Sequence, residues 1–435
     1  MRNLISVGSR RWFLKTGLAG VGGLSLPALL QANEASKSGD RKAIILFWLS
    51  GGPSHIDMWD PKPETPREIR GPYSSIETKL PGVRLCEHLP KQASILDKLT
   101  IIRSLDCRAS NHTPITMQAG NPLAQRVDTG NDGDGFPSMG SIVAKFKGTN
   151  DPHLPAFVGL ADSWKADVWE SGQMGSDYAP VKGSELAGRF KLPDGLQLDR
   201  LQNRDDLRRQ FDHFRRDLDR GETLARVDRY NQQAFEFVTS GRAEKAFQID
   251  AEPAALRDAY GRDSIGEKAL LARRLVESGV TFVLVSGAWG YFDHHGDEVR
   301  WGGIEKGLTP LLPSVDRVIH TLVTDLESRG LLDSTLVMMM GEFGRGPVMT
   351  KTAGRDHWTN CMSMILAGGG LKHGQVIGST DARGYGIKDR PVRPQDLAAT
   401  TFKYFGIDLG SHWVTPQGRP TPIVTEGGQP ISELL

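Results

Sequence analysis

The chain has 435 residues, a formal net charge of +1 and a charged fraction of 24%. No basic block marks a nucleic-acid groove, no acidic tail appears, and the charges are interleaved rather than massed against a membrane surface. Cys86, Cys107 and Cys361 are odd in number and widely spaced, so they set neither a metal-ligand spacing nor a disulfide framework.

Ser9–Lys15 reads SRRWFLK, and Thr16–Leu30 is a short Gly/Ala/Leu-rich run. A basic start, a short apolar stretch and small residues after it make a secretory signal, and the adjacent Arg10 and Arg11 mark the twin-arginine kind. The run is too short and too rich in glycine for a stable membrane span. Residues 1–35 are therefore expected to be a signal peptide, cut near Ala32 or Ala35. The implied partner is the twin-arginine translocase, and the implied location is the periplasm or another extracytoplasmic space. Changing Arg10 and Arg11 to lysine is expected to strand the precursor in the cytoplasm. Cell fractionation checks this, and normal envelope recovery of the double-lysine form would refute it.

Residues 36–435 are long enough for one large α/β domain with insertions. Ala43–Leu49 is an apolar run of strand length, stopped at once by Ser50, Gly51, Gly52 and Pro53, with His55, Asp57 and Asp60 just beyond. Polar groups placed after a buried strand lie at the carboxyl edge of a sheet, where α/β proteins hold ligands. Leu99–Arg103 is a second strand, leading to a loop-to-helix passage with Asn111, His112, Thr113 and Thr116 around Pro114. Asn121–Pro137 contains an exposed turn, DTGNDGDG, which lacks the remaining spacing of a calcium loop. Leu154–Leu160 reads as a further strand.

Asp162–Ser240 is expected to be an insertion outside the sheet, turn-rich at first and helical over Asp199–Ser240, with a lid among its roles. Ser264–Ser278 predicts a helix ended by Gly279, and Val280–Val285 a strand. Thr309–Ser328 predicts a helix, Leu336–Met340 and Met362–Ala367 strands, and Gln395–Phe405 a late helix after Pro394. Helices alternating with short buried strands predict a mostly parallel sheet covered on both faces.

The late strands carry the chemistry. The first is followed by Phe292-Asp293-His294-His295-Gly296-Asp297, the second by Gly341-Glu342-Phe343-Gly344-Arg345, and Gly354-Arg355-Asp356-His357-Trp358 precedes the third. Imidazole and carboxylate are the usual ligands of zinc in hydrolytic sites, and carboxylates also suit manganese or magnesium. The expected metal set is Asp57, Asp293, His295, Glu342 and His357. The two imidazoles favour zinc, with manganese or iron as alternatives.

FWLSGGPSHIDMWDPKP, EFGRGP, GRDHW, LAGGG and GQVIGSTDARG together resemble the DUF1501 family of exported bacterial proteins, from about Ile44 to about Asp408. That family is related to the alkaline-phosphatase and sulfatase superfamily. The resemblance implies an alkaline-phosphatase-like three-layer α/β sandwich with a metal site at the strand ends. It implies that Asp293, His295 and His357 ligate one metal. It places Glu342 where a paired ligand is common, although Phe343 follows it here. Sulfatases of the superfamily need Cys or Ser two residues before a proline. His112 stands there instead, so formylglycine chemistry is not expected.

Three candidate catalytic residues follow: His112 as base or phosphoryl acceptor, Thr113 as nucleophile, and Arg345 as anion holder through paired donors. Thr116 and Arg355 are the alternatives to Thr113 and Arg345. The expected activity is metal-dependent hydrolysis of a phosphate or sulfate ester, on a small anionic ester or an envelope polysaccharide. The alternative is a non-catalytic envelope binding protein that keeps the fold.

Overall fold

The computed structural model describes residues 41–124, 135–184, 242–287 and 290–435. The expected signal peptide, most of the 128–135 turn and the helix expected over Asp199–Ser240 lie outside the described residues.

Ala43–Trp48 (β1) is buried at all six positions. Side chains alternate across a strand, so Ile45 and Phe47 enter one core while Ile44, Leu46 and Trp48 enter another. This explains why the run is apolar throughout rather than alternating: both faces are covered. The other strands of the sheet are β2 (Leu99–Leu105), β3 (Phe157–Leu160), β4 (Val181–Lys182), β5 (Phe282–Ser286), β6 (Thr335–Met340), β7 (Met362–Gly368) and β8 (Gln375–Ile377). Their order across the sheet is β8-β2-β7-β6-β1-β5-β3-β4. Every pairing is parallel except those of β7, which is antiparallel to β6 and to β2.

Helices cover both faces. On the Ile45 and Phe47 side pack α3 (Ser264–Ser278) and α4 (Thr309–Ser328). On the other side pack α2 (Met139–Phe146) and α5 (Pro394–Tyr404). The short α1 (Ile115–Ala119) follows the loop after β2. The boundaries have local causes. Asp263 caps α3 by accepting the Gly266 N–H at 2.9 Å, Gly279 ends it in the left-handed region, and Pro394 opens α5. The three-layer α/β sandwich expected from the sequence is the observed architecture.

One expectation is corrected. The segment after Asp162 does not stay outside the sheet, because Val181 and Lys182 pair in parallel with Val158 and Gly159 and form its edge. A two-residue strand has no periodicity to read, and its place comes from the neighbour it pairs with. Among the described residues no helix is long and apolar enough to cross a membrane. Cys86, Cys107 and Cys361 are free thiols and buried.

Candidate metal centre

Because β1, β2, β5 and β6 are parallel, the loops after them open on one edge of the sheet. β7 runs the other way, so the loop before it reaches the same edge. Four loops therefore meet there, carrying Gly51 and Gly52, His112, Asp293 and His295, and Glu342 to His357.

The glycine pair lets them touch. Gly51 and Gly52 have φ of +107° and +90°. A Cβ on Gly51 would lie 2.4 Å from the Asp293 amide nitrogen, and one on Gly52 would lie 2.6 Å from the Phe343 ring. Only glycine accepts both the conformation and the approach. The Gly51 N–H donates to Glu342 Oε1 at 2.7 Å. A two-strand ribbon sets His357 opposite Arg345 and Trp358 opposite Gly344, which carries the His357 imidazole back to the strand ends.

Asp293 is the centre of the cluster. Its Oδ1 lies 3.0 Å from His357 Nε2, 3.0 Å from His295 Nε2 and 2.5 Å from Arg345 Nη2. Its Oδ2 lies 3.6 Å from His112 Nε2. His112 Nδ1 meets Glu342 Oε1 at 2.9 Å. The donor atoms of His112, Asp293 and His357 all fall within 4.8 Å of one another. His295 Nε2 and His357 Nε2 stand 2.9 Å apart, a spacing that requires a proton or a cation between two nitrogen lone pairs.

Electrostatics agree with the geometry. Burial opposes charge on Asp293, yet His112, His357 and Arg345 hold its carboxyl well below the usual range. Burial lowers His112 as well, but its contacts with Asp293 and Glu342 outweigh that and raise it to about 9. Burial and then the Arg345 charge lower His295, so it presents a neutral imidazole. Two imidazoles and one carboxylate in reach of a common point are a fitting donor set for a divalent ion of the zinc class. Glu342, on the far nitrogen of His112, has the place of the carboxylate that orients a metal-bound histidine.

The other expected site residues are placed differently. Asp57 is taken up by Arg355, whose Nε and Nη2 meet its two oxygens at 2.6 and 2.9 Å, and by the Ser54 hydroxyl at 2.6 Å. Both residues of this pair are almost fully buried, so Asp57 braces the loop that carries His357 instead of joining the cluster. Arg345 also faces inward. It donates to the backbone carbonyls of Gly51, Gly52, Phe292 and Arg355 and to Asp293. Thr113 donates to Asn111 Oδ1 at 2.7 Å, while Thr116 is buried and donates to the Ala124 carbonyl at 2.7 Å.

A family model described as "Protein of unknown function (DUF1501)" matches residues 41–435. The chain belongs to that family. No curated protein matches this DUF1501 chain in sequence. Among solved structures it is similar to the phosphonate monoester hydrolase of Agrobacterium radiobacter, with a TM-score of 0.40 and 11% identity over 90% of this chain and 78% of that one. A sulfatase from Pseudoalteromonas sp. gives 0.39 and 11% over 86% and 70%.

Sequence reasoning had His112 as a base or phosphoryl acceptor and did not group it with Asp293 and His357, because nothing local ties it to Asp293, 181 positions away. It missed Asp167 altogether. That carboxyl is fully buried beside Ser286, which donates to its Oδ2 at 3.0 Å. In the sequence it sits within a turn-rich stretch that offers no signal for it.

Proposed function

We propose that this DUF1501 chain is an exported, metal-dependent hydrolase of phosphate or sulfate esters. The observation that carries the reading is the convergence of His112, Asp293 and His357 at the open edge of the sheet. These three residues would hold the ion, with His295 at its rim. Bound there, a divalent ion supplies electrophilic polarisation of the ester and a lowered pKa for water.

The chain's own groups divide the remaining work. Glu342 fixes the ring of His112 through Nδ1 and so aims Nε2 at Asp293 and the opening. Phe343 packs on the His357 ring with centroids 4.6 Å apart and holds it in place. The Thr113 hydroxyl is engaged by Asn111, which favours water as the attacking group. His295, part-exposed and kept neutral by burial and the Arg345 charge, would stand beside the ion with Nε2 3.0 Å from Asp293 Oδ1.

The second reading is a non-catalytic envelope binding protein, and Arg345 favours it. With its donors turned to backbone carbonyls, Arg345 offers the site no guanidinium for an anion. One experiment separates the two. Protein purified without a histidine tag from medium supplied with zinc and manganese is expected to retain an ion, and to turn over members of a panel of phosphate, phosphonate and sulfate esters. Metal-free protein whose melting temperature neither ion raises would sink the hydrolase reading. Bound metal with no turnover across the panel leaves the binding protein.

A further inference from the structure

A cavity of about 520 Å³ opens beside the loop that carries Asp293 and His295. Tyr291, His294, Asp297 and Trp301 of that loop form one wall. Ser264 and Ile265 at the start of α3, with Pro310, Leu311 and Ser314 at the start of α4, form another. His112, Asp293 and His357 do not line it, so it is a place apart from the metal cluster. Glycines let the first wall close up. Gly290 has φ of +77°, and a Cβ on it would lie 2.5 Å from Trp301 Nε1. A Cβ on Gly307 would lie 2.5 Å from His294 Nδ1. The volume is that of a small-molecule site.

The polar groups of the wall do not favour a small ion. Asp162 meets Lys268 Nζ at 2.7 Å, and Asp263 meets Arg317 and, at 3.0 Å, the Ser314 hydroxyl. Asp297 Oδ1 accepts the Gly303 and Lys306 N–H groups, both at 2.9 Å. Arg300 and Lys306 stand in the same wall as these carboxylates, and the Arg300 guanidinium lies 4.7 Å from the Trp301 ring centroid. Both signs are therefore mixed in one cavity, with no block of either. A hydroxyl both donates and accepts, so it suits carboxylates and cations alike. His294 adds to this. It is 6% exposed, its Nδ1 lies 3.2 Å from the Trp301 carbonyl, and its Nε2 has no partner. The carbonyl only accepts, so Nδ1 holds the hydrogen, and the buried Nε2 is left wanting a polar neighbour.

The apolar part is flat and exposed. Tyr291 is 39% exposed and Val299 49%, although the Tyr291 ring stands only 6.1 Å from that of Trp301. An aromatic side chain with an apolar body and a polar tip fits a ligand of the same build. The ligand called for has an apolar face, a rim of hydroxyls and no net charge. A pyranose ring has all three.

We propose that this cavity binds a neutral pyranose segment of a glycan, with a sugar face on Tyr291 and hydroxyls on Asp297 and Lys306. The site goes beyond the hydrolase reading, and binding there does not require turnover. Its function is to hold a glycan next to the loop that carries the metal centre.

The test titrates the full chain with maltose, cellobiose and diacetylchitobiose, read by saturation-transfer NMR and calorimetry. At least one of the three is expected to bind saturably. Tyr291→Ala should weaken that binding about tenfold, the effect of losing one aromatic contact. Should Tyr291→Ala fail to fold, Val299→Arg puts a long charged side chain at an exposed position of the wall and should weaken binding at least as much. His357→Ala is expected to lose the metal and bind the sugar as the wild type does, which places the sugar away from the centre. No saturable binding by any of the three, or binding undiminished in Tyr291→Ala and Val299→Arg, overturns the proposal. Inorganic phosphate that displaces the sugar from the His357→Ala protein would make this an anion site and overturns it too. Failure of the hydrolase reading looks different: sugar bound, and no ester of the panel turned over.

Discussion

Asp293→Asn is expected to abolish retention of zinc and to cut turnover by about 10²–10³-fold. The substitution keeps the shape and removes the one charge on which His112, His295, His357 and Arg345 converge. Metal content and the rate on the best ester of the panel are the measurements. Zinc retained by the Asp293→Asn protein would refute the placement of the centre. The pH dependence of the wild type carries the same logic. His112 is raised to about 9 in the metal-free protein. The stability its charged form contributes is therefore complete below its ordinary value near 6.5 and is lost as pH rises through about 9. A metal must displace that proton to reach Nε2. The rise in melting temperature caused by zinc is thus expected to grow between pH 6 and pH 9, and a flat profile would remove His112 from the ligand set.

Arg345→Met is expected to cost about 3–5 kcal/mol, the range for removing one partner of a buried ion pair. Its guanidinium is 1% exposed. It ties the glycine turn after β1, the loop carrying Asp293 and the loop carrying His357 into one unit. Methionine fills much of the volume but leaves those carbonyls and the Asp293 charge unmatched. Arg345→Lys should recover little, because a single ammonium does not reproduce the fork of donors. Urea denaturation at pH 7 gives the answer. A loss below about 1 kcal/mol together with a collapse of turnover would return Arg345 to the anion-holding role that its position in EFGRGP suggests.

The sequence by itself determined the layers. The apolar runs at Ala43–Trp48, Phe282–Ser286 and Thr335–Met340 are strands because their residues are apolar at nearly every position, a pattern suited to a sheet covered on both faces. Gly279 and Pro394 mark helix ends for reasons contained in one residue each, a left-handed conformation and a missing N–H. The chemistry-bearing residues were legible as well, since polar groups directly after a buried strand emerge at one edge whatever the loops do. Which of them meet was decided only in three dimensions. Asp57 and Asp293 both follow a central strand within a few residues, yet one is neutralised by Arg355 and the other gathers histidines. His112 reaches its partners across 181 and 230 positions of sequence, and Asp167 meets Ser286 across 119. Local periodicity records only which way a side chain points from its own strand or helix. Pairing between charges depends on how loops from separate strands pack over a common edge, and packing at that range leaves no periodic trace in the chain.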